Sequence, residues 1–297
     1  MLDFRIMTFL ELCNQNSYTK TAQVLNMTQP AVTQHIQHLE REYGAKLFHH
    51  YGKKLILTPA GELLRQAART IAADTQSLKR MMQEGGEKDN QWRFGATLTV
   101  GEYVLPPALA WYLKQAEDAH VFMTVENTVT LLSMLQKGEI DFAFVEGYFD
   151  KQAYDYTLFL QDDFIAVSAP NYIAPKQSLL FEDAVKLPLV LREEGSGTRE
   201  IFERVLLEHN MNIAHFSLPY QIGNMQAIKY LVQVGCGITF LYRSAVKKEL
   251  QEGTLTELVI EDFKLQREYN LVTLKDSLFS DRYYEFANLL RGFLKKS

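Results

Sequence analysis

The chain has 297 residues, 47% hydrophobic and 23% charged, a composition that excludes intrinsic disorder and leaves room for two or three domains. Its net charge of −5 hides an asymmetry: residues 1–83 hold ten Lys and Arg against six Asp and Glu, a net of +4, and the remainder carries −9. Four of the seven histidines also fall in the first fifty residues, so a small basic unit is joined to an acidic body, as a local polyanion-binding surface requires. No apolar run reaches the ~18 residues of a membrane helix. The N-terminal stretch carries Asp3 and Glu11 and lacks a small-residue cleavage site, so it does not read as a signal peptide. The expected location is the cytoplasm, with no membrane partner. Cys13 and Cys236 have no second Cys or His at metal-ligand spacing; neither a metal, a disulfide nor a cofactor is expected.

Asp3 is placed to cap a first helix burying Ile6, Phe9, Leu10 and Cys13. A polar turn at 14–17 leads to a short helix with Ala22 and Leu25 on its apolar face. Thr28 caps a third helix with Pro30 in its first turn, where a missing N–H costs nothing. That helix buries Val32, Ile36, Leu39 and Tyr43, and Gly44 ends it. Residues 45–58 read as a hairpin: Lys46-Leu47-Phe48, a tip at Tyr51-Gly52-Lys53-Lys54, then Leu55-Ile56-Leu57. Thr58 and Pro59 announce a helix of about 25 residues, which is long enough to want a partner along its length. Gly85 and Gly86 open a hinge. From Trp92 onward strands alternate with helices, the pattern of an α/β body with a largely parallel sheet, and about 200 residues suffice for two lobes.

Two short helices and a following hairpin make a winged helix-turn-helix. The second helix of the pair is the candidate reader of DNA. Its first turn holds Thr28, Gln29, Pro30 and Ala31, and its exposed face carries Thr33, Gln34, Gln37 and His38. Glutamine offers a donor and an acceptor to adenine edges in the major groove. Thr33 suits a phosphate or a thymine methyl, and Lys53 and Lys54 at the wing tip suit the DNA backbone or minor groove.

In the body, Thr97 and Thr99 follow a strand just before a helix. Arg192 and the run Ser196-Gly197-Thr198 do the same at a second strand, where free backbone N–H groups favour an anion. Thr128, Thr130, Glu146 and Asn224 are further candidates for this ligand site. Ordinary helix capping uses the same residue types, so that alternative stays open at each position. Glu193 and Glu194 sit awkwardly beside an anion, and one of them could instead select an amine.

The stretch from Ser17 to Glu40, followed by Gly44-Ala45-Lys46-Leu47-Phe48 and by Leu57-Thr58-Pro59-Ala60-Gly61, closely resembles the LysR-type family of transcriptional regulators, and the similarity continues more loosely to the end of the chain. The resemblance implies a winged helix-turn-helix over 1–58, a dimerising linker helix over 59–83, a hinge over 84–91 and an effector-binding domain over 92–297. That domain would be α/β and two-lobed like periplasmic binding proteins, with lobe I about 92–162 and 267–297 and lobe II about 163–266. The implied partners are double-stranded DNA, a small and anionic effector held between the lobes, a second copy in a homodimer or homotetramer, and RNA polymerase. Two features depart from the family pattern. Thr28 and Thr33 stand where serine is common, and His50 replaces an arginine after Leu47-Phe48. A histidine lacks arginine's permanent charge, so the wing's phosphate contact falls more on Lys53 and Lys54. An enzyme is not expected, because there is no P-loop lysine pattern, zinc spacing or Gly-x-Ser-x-Gly turn. A solute-binding protein would share the C-terminal fold but has no use for the helix-turn-helix.

Overall fold

A computed structural model describes residues 3–52, 54–83, 90–173 and 178–296. The N-terminal unit is α1 (Phe4–Gln15), α2 (Tyr18–Val24) and α3 (Gln29–Glu42), then a hairpin of β1 (Phe48–Tyr51) and β2 (Lys54–Leu57). Asp3, Ser17 and Thr28 cap the three helices in turn by accepting from Arg5, Lys20 and Ala31 N–H groups. Ile6, Phe9, Leu12, Ile36, Leu39, Leu47 and Phe48 pack as one core. Leu10, expected inside, packs only partly buried against it. Tyr43, also expected inside, is 53% exposed at the C-cap of α3. The wing's tip lies where expected, but its first strand starts two residues later and its second one residue earlier than expected, because Tyr51 pairs directly with Lys54. Its two-residue tip begins at Gly52, whose φ of +62° is a glycine conformation. Lys53 lies outside the described residues.

The linker α4 (Pro59–Gln83) runs for 25 residues. Thr58 starts it by accepting the Gly61 N–H at 3.0 Å while donating to Lys46 O. Only a glycine fits at 61, since a Cβ there would stand 2.2 Å from Leu47 O. Residues 84–89, most of the expected hinge, lie outside the described residues.

The C-terminal body comprises β3 (Gln91–Ala96), a π-helical turn (Val100–Val104), α5 (Leu105–Gln115), β4 (His120–Val125), α6 (Thr128–Gln136) and β5 (Phe142–Glu146). Then follow β6 (Tyr154–Ser168), α7 (Phe181–Ala184), β7 (Leu189–Leu191), α8 (Gly197–Glu208), a 3₁₀ turn (Ile213–His215) and β8 (Pro219–Gln221). The chain closes with α9 (Met225–Gln233), β9 (Thr239–Tyr242), α10 (Arg243–Glu252), β10 (Thr256–Leu258), β11 (Leu265–Leu274) and α11 (Ser280–Leu294).

The sheet is mixed rather than largely parallel. β3 pairs parallel with β4 and β5, whereas β5–β11, β6–β11, β6–β9 and β6–β10 are antiparallel. The difference comes from two long strands. β6 and β11 pair over ten positions, with a register shift between Tyr269 and Asn270. One end of this pair joins β5 and the other joins β9 and β10, so each strand passes through both halves of the body. Among the described residues, no helix is long and apolar enough to cross a membrane.

Candidate DNA interface and effector cleft

Helix α3 divides by face. Val32, Ile36 and Leu39 are buried, while Gln29, Gln34 and Gln37 are exposed along one side, with Thr28 and Pro30 exposed at its start and Ala31 half-buried beside them. Two expected contacts are already engaged within the protein. The Thr33 hydroxyl donates to Gln29 O at 3.1 Å. His38 Nε2 accepts from Arg5 Nη1 at 2.6 Å, with Glu42 3.6 Å away. Because guanidinium only donates, His38 is an acceptor toward α1 rather than a free donor toward DNA. The sequence reading missed Arg5 for lack of a local signal, since the pair spans 33 positions. His50 and Lys54 are exposed on the wing.

The candidate effector residues converge on one carboxyl. Glu146, the last residue of β5, is 2% exposed. Its Oε1 accepts from the Thr99 hydroxyl at 3.1 Å and from the Thr198 hydroxyl at 3.2 Å. Its backbone N–H donates to Thr97 Oγ1 at 3.2 Å, and its carbonyl accepts from the Thr128 hydroxyl at 3.1 Å. Thr97, Thr99 and Thr128 belong to the half containing β3, and Thr198 opens α8 in the other half, so the Thr198–Glu146 bond joins the two. Gly197 lies against Glu146 as well, for a Cβ there would be 3.5 Å from the Glu146 carbonyl. Oε2 has no partner among the described residues. Burial pushes this carboxyl up from the ordinary 4.5 to about 7, against the pull of the two hydroxyls and Arg192.

Behind Glu146 stand two tyrosines. Tyr269 sits directly opposite it across the β5–β11 ladder and donates to Asp162 Oδ2 at 2.7 Å. The Tyr242 ring packs edge-on against it at 5.1 Å, and the Tyr242 hydroxyl has no partner among the described residues. Neither residue carries a motif, and only the long-range pairing of β6, β9 and β11 brings them here. Buried Arg192 forms a bidentate pair with Glu193, both bonds 2.7 Å. Ser196 is buried at the N-terminus of α8, yet no side-chain bond caps that helix.

Thr130 and Asn224 fall out of this cluster. The Thr130 N–H is capped by Asn127 Oδ1, and exposed Asn224 caps α9 by accepting the Ala227 N–H at 2.9 Å. For Asn224 the capping alternative describes the geometry. In a second contact between the halves, whose partner Tyr103 was not legible in the sequence, Gln226 Nε2 donates to Tyr103 Oη at 3.0 Å, and Lys229 Nζ stands 4.6 Å over the Tyr103 ring. Among the described residues no cluster of His, Cys, Asp and Glu could hold a metal ion.

Comparison with known proteins accounts for both parts. Residues 5–62 match the model of the bacterial regulatory helix-turn-helix protein, lysR family, and residues 85–295 match the LysR substrate binding domain. The HTH-type transcriptional regulator YeiE of Escherichia coli K12 is 28% identical over 96% of this chain and 93% of its own length. CysL of Bacillus subtilis is 27% identical over 89% of this chain and 88% of its own. Among solved structures, a mutant of OxyR from Corynebacterium glutamicum superposes with a TM-score of 0.63 at 22% identity, covering 98% of this chain and 91% of that one. The regulatory domain of CcmR from Synechocystis PCC6803, solved in complex with 2-PG, superposes with a TM-score of 0.60 at 21% identity over 69% of this chain and 97% of that one. At such identities the structures show the fold alone. The two family matches span almost the whole chain, and it is a LysR-type transcriptional regulator with an N-terminal DNA-binding helix-turn-helix and an effector-binding domain.

Proposed function

We propose that α3 enters the major groove and reads bases through Gln29, Gln34 and Gln37, while Thr28, Thr33, His50, Lys53 and Lys54 hold the backbone. The observation that carries this reading is the split of α3, with three glutamines exposed over a buried Val32, Ile36 and Leu39. The reading unit is a homodimer, single or paired into a tetramer. It is supported by Leu63, Ile71, Leu78 and Met82, all exposed on one face of α4 at spacings suited to a second helix. The domain division is 1–58, 59–83, 84–91 and 92–297, and the protein works in the cytoplasm, regulating RNA polymerase without turning over its effector.

The effector binds between the lobes at Glu146, Thr97, Thr99, Thr128, Arg192, Ser196, Gly197 and Thr198. The Thr198–Glu146 bond supports this, because a ligand that replaces a direct contact between two lobes binds their arrangements with different affinity. Selection of bound fragments from genomic DNA, comparing wild type with Gln34→Ala at two salt concentrations, tests the DNA reading. Discrete dyad-related sites lost in the variant are expected. Weak binding without preferred sequence, vanishing as salt rises, would overturn it.

A further inference from the structure

The cleft combines two features that contradict each other for an ordinary anion. The first turn of α8, a 12-residue helix, points free N–H groups at the site, and no side chain caps them. Arg192 and the Ser196 hydroxyl add positive or donating character, whereas the Thr99 and Thr198 hydroxyls are already donated to Glu146 Oε1. Yet the Glu146 carboxyl lies against that same turn, bonded to Thr198 through Oε1, with Oε2 buried and unpartnered. A fully ionised anion placed at α8 would meet an acceptor and a negative charge at close range. An anion that keeps one hydrogen meets an acceptor it can satisfy, and a buried polar atom left without a partner is costly enough to select for it.

We propose that the effector is a small oxyanion that still carries a hydrogen at neutral pH, of the hydrogenphosphate class, and that this hydrogen lies between the ligand and Glu146 Oε2. The inference rests on the reading of the interlobe cleft as the effector site. The remaining oxygens of the ligand face the α8 N-terminus. Glu146 and the ligand hold one proton between them, and no covalent step is involved. The groups that face Glu146 from the packed elements are Arg192 after β7, Asp162 of β6, Tyr242 of β9 and Tyr269 of β11, with Thr99 and Thr198 donating. Raising the pH strips the carboxyl's proton, so a ligand without its own hydrogen loses its only donor there.

Calorimetric titration of the full-length protein with inorganic phosphate and with sulfate, at pH 6 and pH 8, tests this. The two ions have nearly the same shape, but only phosphate keeps a hydrogen at pH 8. Wild type should bind phosphate about tenfold or more tightly than sulfate at pH 8, and the gap should shrink at pH 6 as sulfate binding recovers. Glu146→Gln offers an N–H donor in place of the acceptor, so it should lose the preference and bind sulfate better than wild type does. A merely structural residue would not reverse a preference. Thr198→Val should weaken both ions. If Thr198→Val weakens both while Glu146→Gln changes nothing, the cleft stands and the shared proton falls. If neither substitution matters, the cleft itself is misread. Binding of neither ion in the millimolar range, or Glu146-dependent binding of glycine instead, overturns the oxyanion class.

Discussion

Glu146→Gln also makes a prediction about stability that needs no ligand. Burial raises the carboxyl from 4.5 to about 7, so the folded protein binds this proton more tightly than the unfolded chain does. Below pH 4.5 both states are protonated and the residue costs nothing on this account. Between pH 4.5 and 7 the folded state keeps a proton that the unfolded chain has released, and stability falls by about 1.4 kcal/mol per pH unit. Above pH 7 the loss is complete, about 3 kcal/mol. Glutamine has no proton to lose. Its stability advantage over Glu146 should therefore grow from near zero at pH 4.5 to about 3 kcal/mol at pH 8, while the other titrating groups cancel in the difference. Urea unfolding followed by tryptophan fluorescence reads it, since both tryptophans, Trp92 and Trp111, pack in the large core of the effector-binding domain. A difference that stays flat between pH 5 and 8, or a variant less stable than wild type at pH 8, would refute the reasoning.

Three further outcomes follow from packing. Alanine normally stabilises a helix relative to glycine, but Gly61→Ala should lower stability by about 1–3 kcal/mol, because its Cβ meets Leu47 O at 2.2 Å and Leu57 Cδ2 at 2.7 Å; thermal unfolding of the full chain measures this. Lys229→Met should cost about 3–5 kcal/mol in urea unfolding, since it strands buried Glu249, whose Oε1 is 2.7 Å from Lys229 Nζ and whose Oε2 has no partner among the described residues. The double variant with Glu249→Leu should recover most of that loss. Leu63→Asp with Leu78→Asp, both on the exposed apolar face of α4, should leave a folded monomer in sedimentation velocity and remove tight operator binding; a dimer that persists would place the interface elsewhere.

The N-terminal unit was legible almost residue by residue because its signals are local. Ser17, Thr28, Pro30, Thr58 and Pro59 each act within one helical turn, and Val32, Ile36 and Leu39 repeat at helical spacing. The effector-binding domain was legible as alternating elements but not as a sheet. The first half of β6, Tyr154-Asp-Tyr-Thr-Leu, places exposed tyrosine, threonine and leucine in succession, so no period of two marks it as a strand. Its state is set by β11, more than a hundred positions away. The same distance hid Tyr242, Tyr269 and Asp162 from the site. The threonines at 97, 99, 128 and 198 were picked out by local helix-start signals, but that all four turn toward Glu146 depends on strand pairing and was not legible.

Helix α4 is mounted on one half of the body. Thr70 donates to Lys275 O, Asp74 accepts from the Ser277 hydroxyl and the Leu278 N–H, and Ser77 and Arg80 both bind Asp141. Ala73 packs with Leu131 and Leu135 in one apolar cluster. All of these partners belong to the half of the body that carries β3, β4 and β5. The other half is joined to the first by the β6–β11 pair, by Tyr103–Gln226, by the Arg204 guanidinium over the Tyr148 ring, by Thr198–Glu146 and by an apolar core that holds both Phe94 and Phe240. On the proposed reading, a ligand at Glu146 acts at the Thr198–Glu146 contact between the half fixed to α4 and the other half. Coupling between the sites has the same size in both directions, so whatever a ligand does to operator affinity, operator DNA must do to ligand affinity.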